Sequence, residues 1–130
     1  MSNELSMTIS IDLKKMRLRI YKKVLYAMGE PKYIQLLVNP NAKQIAIRGI
    51  PEGESHKYAE RISSLDMLSD NSVEFYSKEF LQNLSELVDT LNFQCSYRLY
   101  GSFVNEQNMA VFSLDTLEEI ESQEGEINAR

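Results

Sequence analysis

"YIQLLVNPNAKQIAIRGI" (residues 33–50) and "YRLYGSFVNEQNMAVFSL" (residues 97–114) can be written one above the other without a gap. In the first, residues 33–38 and 44–48 are alternating strand-like runs, and Asn39, Pro40, Asn41 and Ala42 between them are turn formers, so the pair predicts an antiparallel hairpin. The alignment sets Tyr33 against Tyr97, Gln44 against Asn108, Ala46 against Ala110 and Ile47 against Val111. Its phase matters, because a slip of one residue exchanges the buried and exposed faces of a strand.

Working outward, the residues before each hairpin match as well. Met16, Leu18 and Ile20 alternate with Arg17, Arg19 and Tyr21, the period of a half-buried strand with both arginines on one face. Residues 22–28 are good helix formers, and Gly29, Glu30 and Pro31 provide the stop. Ahead of the second hairpin, residues 72–76 read as a short strand and "SKEFLQNLSELVDTL" (77–91) as a helix. Ser77 suits its N-cap, and Phe80, Leu81, Leu84, Leu87, Val88 and Leu91 form its apolar stripe. "LRIYKK" (18–23) lies over "VEFYSK" (73–78). These patterns predict an α+β fold with a mostly antiparallel sheet, a single domain of two tandem βαββ units related by a pseudo-two-fold. Repeat 1 covers about 11–50, a linker 51–71, repeat 2 about 72–114 and an acidic tail 115–130. The linker carries Pro51, Gly53 and a weakly helical patch at Tyr58, Ile62 and Leu65. Asp115 is the predicted N-cap of a final turn or two of helix before the tail frays.

A chain of 130 residues with 43% hydrophobic content is the size of one domain. No basic leader followed by an apolar run is present, nor a stretch approaching ~18 apolar residues, so the reading is a cytoplasmic protein without membrane association. Cys95 stands alone, which excludes an internal disulfide, a CxxC redox pair and a thiolate zinc site, and it reads as a small buried hydrophobe. His56 is the single histidine and lacks companions for a metal site. Nucleotide-binding, nucleophile-elbow and zincin motifs do not occur, and carboxylates crowded into an acidic end are solvated charge. No catalytic residue, cofactor or metal is assigned, and the chain is not expected to be an enzyme.

The charge distribution carries more information. Residues 1–50 hold nine Lys/Arg against three acids, a net of +6, and residues 51–130 hold five against sixteen, a net of -11, which together make the formal -5. Six of the positive charges fall in "KKMRLRIYKK" (14–23): Lys14, Lys15, Arg17, Arg19, Lys22 and Lys23. Arginines on one strand face can contact successive phosphates and reach base edges, with Tyr21 and Tyr26 beside them. The same charges also suit an edge strand guarded against aggregation. Duplex DNA or an acidic protein partner fits the segment, and a protein-interaction module with a basic face and an acidic tail is the alternative to a DNA-binding protein.

Residues 11–48, from Asp12 and Arg17 through an apolar strand and a short helix ending at Gly29 to an alternating hairpin, resemble the AbrB-type module of small transcription regulators and antitoxins. The resemblance implies a swapped-hairpin barrel whose basic strand and loop bind DNA, usually as a homodimer. Two such modules in one chain are similar to the MraZ-type regulators. The pattern departs from the family where Met16 replaces a preferred Gly, where Tyr21 replaces a preferred Pro, and in an Asp12–Arg17 spacing one residue too long. The second copy places Glu74 over Arg19, so the basic site is confined to the first.

Overall fold

Strands form in this protein where apolar and polar residues alternate, and the resulting sheet is wide enough to wrap one core. The computed structural model describes residues 6–62 and 71–120. In chain order these form β1 (Ser6–Asp12), β2 (Arg17–Tyr21), α1 (Lys22–Ala27), β3 (Tyr33–Asn39), β4 (Gln44–Gly49), β5 (Glu60–Arg61), β6 (Ser72–Tyr76), α2 (Lys78–Ser85), β7 (Ser96–Val104), β8 (Met109–Ser113) and β9 (Glu118–Ile120). All pairings are antiparallel, in the order β5-β3-β4-β8-β7-β1-β2-β6, with β9 also on β7, and the sheet curls into a half-barrel. Ile9, Ile11, Leu18, Ile20, Ile34, Ile45, Ile47 and Phe112 point inward and are fully buried together with Leu25 of α1 and Leu81 and Leu84 of α2. Among the described residues no helix is long and apolar enough to cross a membrane.

The sequence reading omitted β1, which lies at the heart of the sheet between β7 and β2. Its signal is plain in retrospect: buried Met7, Ile9 and Ile11 alternate with Thr8, Ser10 and Asp12. The first segment is therefore a hairpin of β1 and β2 followed by α1 and a second hairpin.

The two aligned stretches do form hairpins, but one residue out of the phase that the ungapped alignment gives. The first closes at Asn39↔Gln44 and the second at Val104↔Met109, which sets equivalent positions 65 rather than 64 residues apart. Burial agrees: Ile45 and Ile47 correspond to Ala110 and Phe112, all inward. Each hairpin has a four-residue loop whose last residue is left-handed, Lys43 (φ 53) in one and Asn108 (φ 50) in the other. The β1–β2 hairpin repeats this device at Met16 (φ 52).

Helix α1 ends as its sequence foretells. Gly29 (φ 82) donates from N–H to the Tyr26 carbonyl and Glu30 to that of Leu25, the paired bonds of a Schellman stop, and Pro31 prevents continuation. Helix α2 is shorter than the predicted 77–91, ending at Ser85 with Glu86 as C-cap, and Ser77 occupies the N-cap without a side-chain bond. Val88, Asp89, Thr90 and Asn92 are poor helix formers, and the Ser85 hydroxyl turns back to the Gln82 carbonyl at 2.8 Å. Leu87, Val88 and Leu91 still pack partly against the core from the irregular segment that follows.

The start of the acidic tail also differs from expectation. Ser113, not Asp115, caps a single 3-10 turn over Leu114–Thr116, its hydroxyl accepting from the Asp115 N–H at 3.1 Å. The chain then returns to β7 as β9. Within the described part of the linker, β5 pairs with β3 and Ile62 is buried, while Leu65 and the tail beyond Ile120 lie outside the described residues.

Candidate nucleic-acid interface

The outer face of the sheet is assembled from residues that alternate with the core. Across β9, β7, β1, β2 and β6, the register aligns Glu118, Arg98, Ser10, Arg19 and Glu74 in one row. A neighbouring row runs from Ser96 through Asp12 and Arg17 to Tyr76. Two arginines thus flank a serine, with a carboxylate at each end of the row.

Tyr21 ties the centre together. Its hydroxyl lies 2.9 Å from the Ser10 hydroxyl and interacts with both Arg19 and Arg98. Burial works against the charge of Arg19, but hydrogen bonding and attraction to Glu74, assisted by Tyr21, outweigh it and raise its pKa above the ordinary arginine value. The pKa of Arg98 is raised first by the Tyr100 hydroxyl, against some desolvation, and then by Tyr21. Both guanidinium groups are permanently charged.

The sequence-derived basic residues divide by environment. Lys14 and Lys15 are exposed on the β1–β2 turn, and the Lys15 N–H donates to Asp12 at 3.2 Å. Arg17 bridges Asp12 at 3.3 Å and Glu74 at 3.5 Å, while Arg19 meets Glu74 at 2.6 Å. Lys23 is exposed at the far end of β2, whereas Lys22 is buried at 9% exposure, too enclosed to be a surface contact in this conformation. The fold also adds Lys78 to the Lys14–Lys15 end, since the preceding Ser77 N–H donates to the Met16 carbonyl at 3.2 Å.

Arg98, Tyr100 and Tyr76 were absent from the sequence-derived set. Only the pairing of β1 between β2 and β7 brings Arg98 near Arg19, and neither local spacing nor composition carries that information. Tyr76 is 69% exposed beside Arg17, and Tyr100 donates to Glu118 at 2.7 Å. The start of the acidic tail is thereby folded against the face, with Glu118 opposite Arg98.

Charge over the described residues is balanced, with thirteen Lys/Arg and thirteen acids. The formal -5 comes entirely from Glu4, Asp66, Asp70, Glu121, Glu124 and Glu126 against Arg130. The basic face is therefore a local feature of a neutral body.

Elsewhere, a cleft of about 500 Å³ is lined by Pro31, Tyr33, Pro51, Glu54, His56 and Asn108, among others. His56 stacks on Tyr33 with ring centroids 3.9 Å apart, and Glu54 is held by Arg48 in a two-pronged ion pair at 2.7 and 2.8 Å. Among the described residues no three His, Cys, Asp or Glu side chains cluster as metal ligands. Cys95 is half-buried and donates to Glu119 at 3.3 Å.

Compared with protein-family models, curated proteins and solved structures, the chain has no match.

Proposed function

We propose that this is a DNA-binding protein, of the regulatory rather than the catalytic kind, that holds phosphates against the outer face of β7, β1 and β2. One observation carries the reading: Arg19 and Arg98 stand on either side of Ser10 in one row, and Tyr21, anchored on the buried Ser10 hydroxyl, interacts with both guanidinium groups, an arrangement that presents paired charged donors to phosphate oxygens. Glu74 meets the Arg19 fork at Nη2 and the Nε is buried, so the donors left for a phosphate are among the Nη hydrogens. Lys14, Lys15, Arg17 and Lys23 extend positive charge along the same β1–β2 arm. A tandem duplication of a βαββ unit belongs to the proposal, supported by the repeated element order, the matching left-handed loop residues and the strand order. Outward from the β4–β8 pair, β3 and β5 on one side answer to β7 and β1 on the other, and the remaining strands β2 and β6 pair with each other.

One feature favours the second reading, a protein-interaction face. Asp12, Glu74 and Glu118 alternate with the arginines, and such a mixed surface complements a partner of alternating charge. The test is fluorescence anisotropy with a labelled DNA at low salt. About four phosphate contacts give a slope of log K against log salt near -3 to -4 on duplex. Replacing Arg17, Arg19 and Arg98 by Ala should weaken binding and flatten the slope. No binding by the wild-type protein in low salt overturns the DNA reading and leaves the protein-partner one.

A further inference from the structure

We infer that the nucleic acid taken by this face is single-stranded, held by base stacking on Tyr76 and Tyr100 with arginine contacts between them. The inference rests on the DNA reading and adds the form of the strand.

Shape argues first. Strands lie about 4.8 Å apart, so β7, β1, β2 and β6 span roughly 14 Å between their outer backbones before side chains are added. The major groove of B-DNA is about 12 Å wide and admits a helix or a two-stranded ribbon. A continuous face of four strands does not fit in it. The β1–β2 hairpin cannot enter alone, because β7 and β6 pair along its two sides, from Ser6↔Ser102 to Asp12↔Ser96 and from Arg17↔Tyr76 to Tyr21↔Ser72.

Chemistry argues second. Tyr76 on β6 is 69% exposed and Tyr100 on β7 is 37% exposed, one at each side of the arginine pair. An exposed aromatic on a sheet face offers a ring to an unstacked base, and Arg17 beside Tyr76 and Arg98 beside Tyr100 add planar cations over the same strand. A duplex keeps its bases stacked on each other and could use only the charges. Asp12 and Glu74 already counter Arg17 and Arg19 in part, so phosphate contacts hold either form of the strand and stacking decides the preference between them.

The experiment compares a labelled single-stranded 20-mer of thymidine, the corresponding uridine RNA and a 20-base-pair duplex, all with the full chain. The expected result is single-strand binding at least tenfold tighter than duplex. Binding of the thymidine strand supports the inference, whereas binding of the uridine RNA alone overturns the DNA reading on which it rests. Tyr76→Ala and Tyr100→Ala should each lower single-strand affinity about 5- to 100-fold and leave the salt slope unchanged, while Tyr76→Phe and Tyr100→Phe retain it. Because the chain has seven Tyr and no Trp, intrinsic emission gives a second readout: strand binding should quench it, and less so in Tyr76→Ala. Duplex binding equal to or tighter than single-strand binding overturns the inference while sparing the DNA reading. Unchanged affinity in both alanine variants, with their melting curves intact, also overturns it. Binding to none of the three probes overturns the DNA reading itself.

Discussion

Gly101 sits where β7 turns from β1 toward β8, and adding one methyl group there tests the register of the whole sheet. A Cβ at this position would lie 1.9 Å from the Val111 carbonyl oxygen, 2.8 Å from its carbon and 2.9 Å from the Phe112 Cα. Ordinary contact begins at 3.4 Å, so the backbone of β8 would have to retreat by 1.5 Å, and no flexible side chain is present to yield instead. Such a shift opens the Gly101↔Phe112 and Ser102↔Val111 pairings and lifts Phe112, a fully buried side chain, out of its packing. Two ladder hydrogen bonds at about 1 kcal/mol each, plus about 1 to 3 kcal/mol for an overfilled core, put Gly101→Ala at roughly 3 to 5 kcal/mol of destabilisation. In urea, with a slope of about 1 to 3 kcal/mol per molar, the midpoint should fall by more than 1 M. Gly53→Ala is the control, since it keeps a left-handed backbone (φ 91) with open space around it and should cost only about 1 kcal/mol. A Gly101→Ala midpoint within 0.3 M of wild type, or one no lower than that of Gly53→Ala, would refute the close approach of β7 and β8.

Leu84→Ala should cost about 2 to 5 kcal/mol because Leu84 is fully buried, whereas Gln82→Ala on the exposed side of α2 should stay within about 0.5 kcal/mol; urea unfolding separates them. Glu74→Gln removes the carboxylate shared by Arg17 and Arg19, so DNA affinity at low salt should rise about fivefold, from roughly 1 kcal/mol of attraction in a wet surface, for at most about 1 kcal/mol of stability. Glu118→Gln opposite Arg98 should act in the same direction, and a larger gain than for Glu86→Gln distinguishes a local effect from net charge. Burial and the Glu119 carboxylate push the Cys95 thiol up, so less thiolate is present at pH 8 than in a free cysteine. Alkylation at that pH should be slower than for glutathione, and Glu119→Gln should accelerate it.

Much of the fold is legible where local periodicity is strong. The alternation at Arg17–Tyr21, the Gly29-Glu30-Pro31 stop and both hairpins follow from side-chain period and turn chemistry. β1 has the same alternation, but it lies ahead of the aligned stretches and becomes a central strand only by pairing both with its hairpin neighbour β2 and with the distant β7. Those partners, β2 and β7, are separated by about eighty residues of sequence. The one-residue error in the hairpin alignment arose because matching Tyr33 to Tyr97 rewarded identity, whereas the structure matches the left-handed loop residues Lys43 and Asn108. β9 could not have been read from "EEI": three residues become a strand only because β7 offers them a register, with Thr116 accepting from the Tyr100 N–H at 3.0 Å just before them. At the candidate site, the basic run was visible as composition, but its carboxylate partners were not. Asp12 and Glu74 are brought to Arg17 and Arg19 by pairing across strands, and the same pairing supplies Arg98 and the tyrosines.

The central claim is that the outer face of β7, β1 and β2 is where nucleic acid lies, and amide chemical-shift mapping tests it most directly. Labelled protein titrated with a 20-mer DNA strand in low salt should show its largest shifts at Ser10, Arg17, Arg19, Tyr21, Arg98 and Tyr100, with little change at Leu37, Ala46 and Val111 on the outer face of β3, β4 and β8. Shifts concentrated instead around Tyr33, His56 and Asn108, or no shifts at saturating strand, would contradict the account.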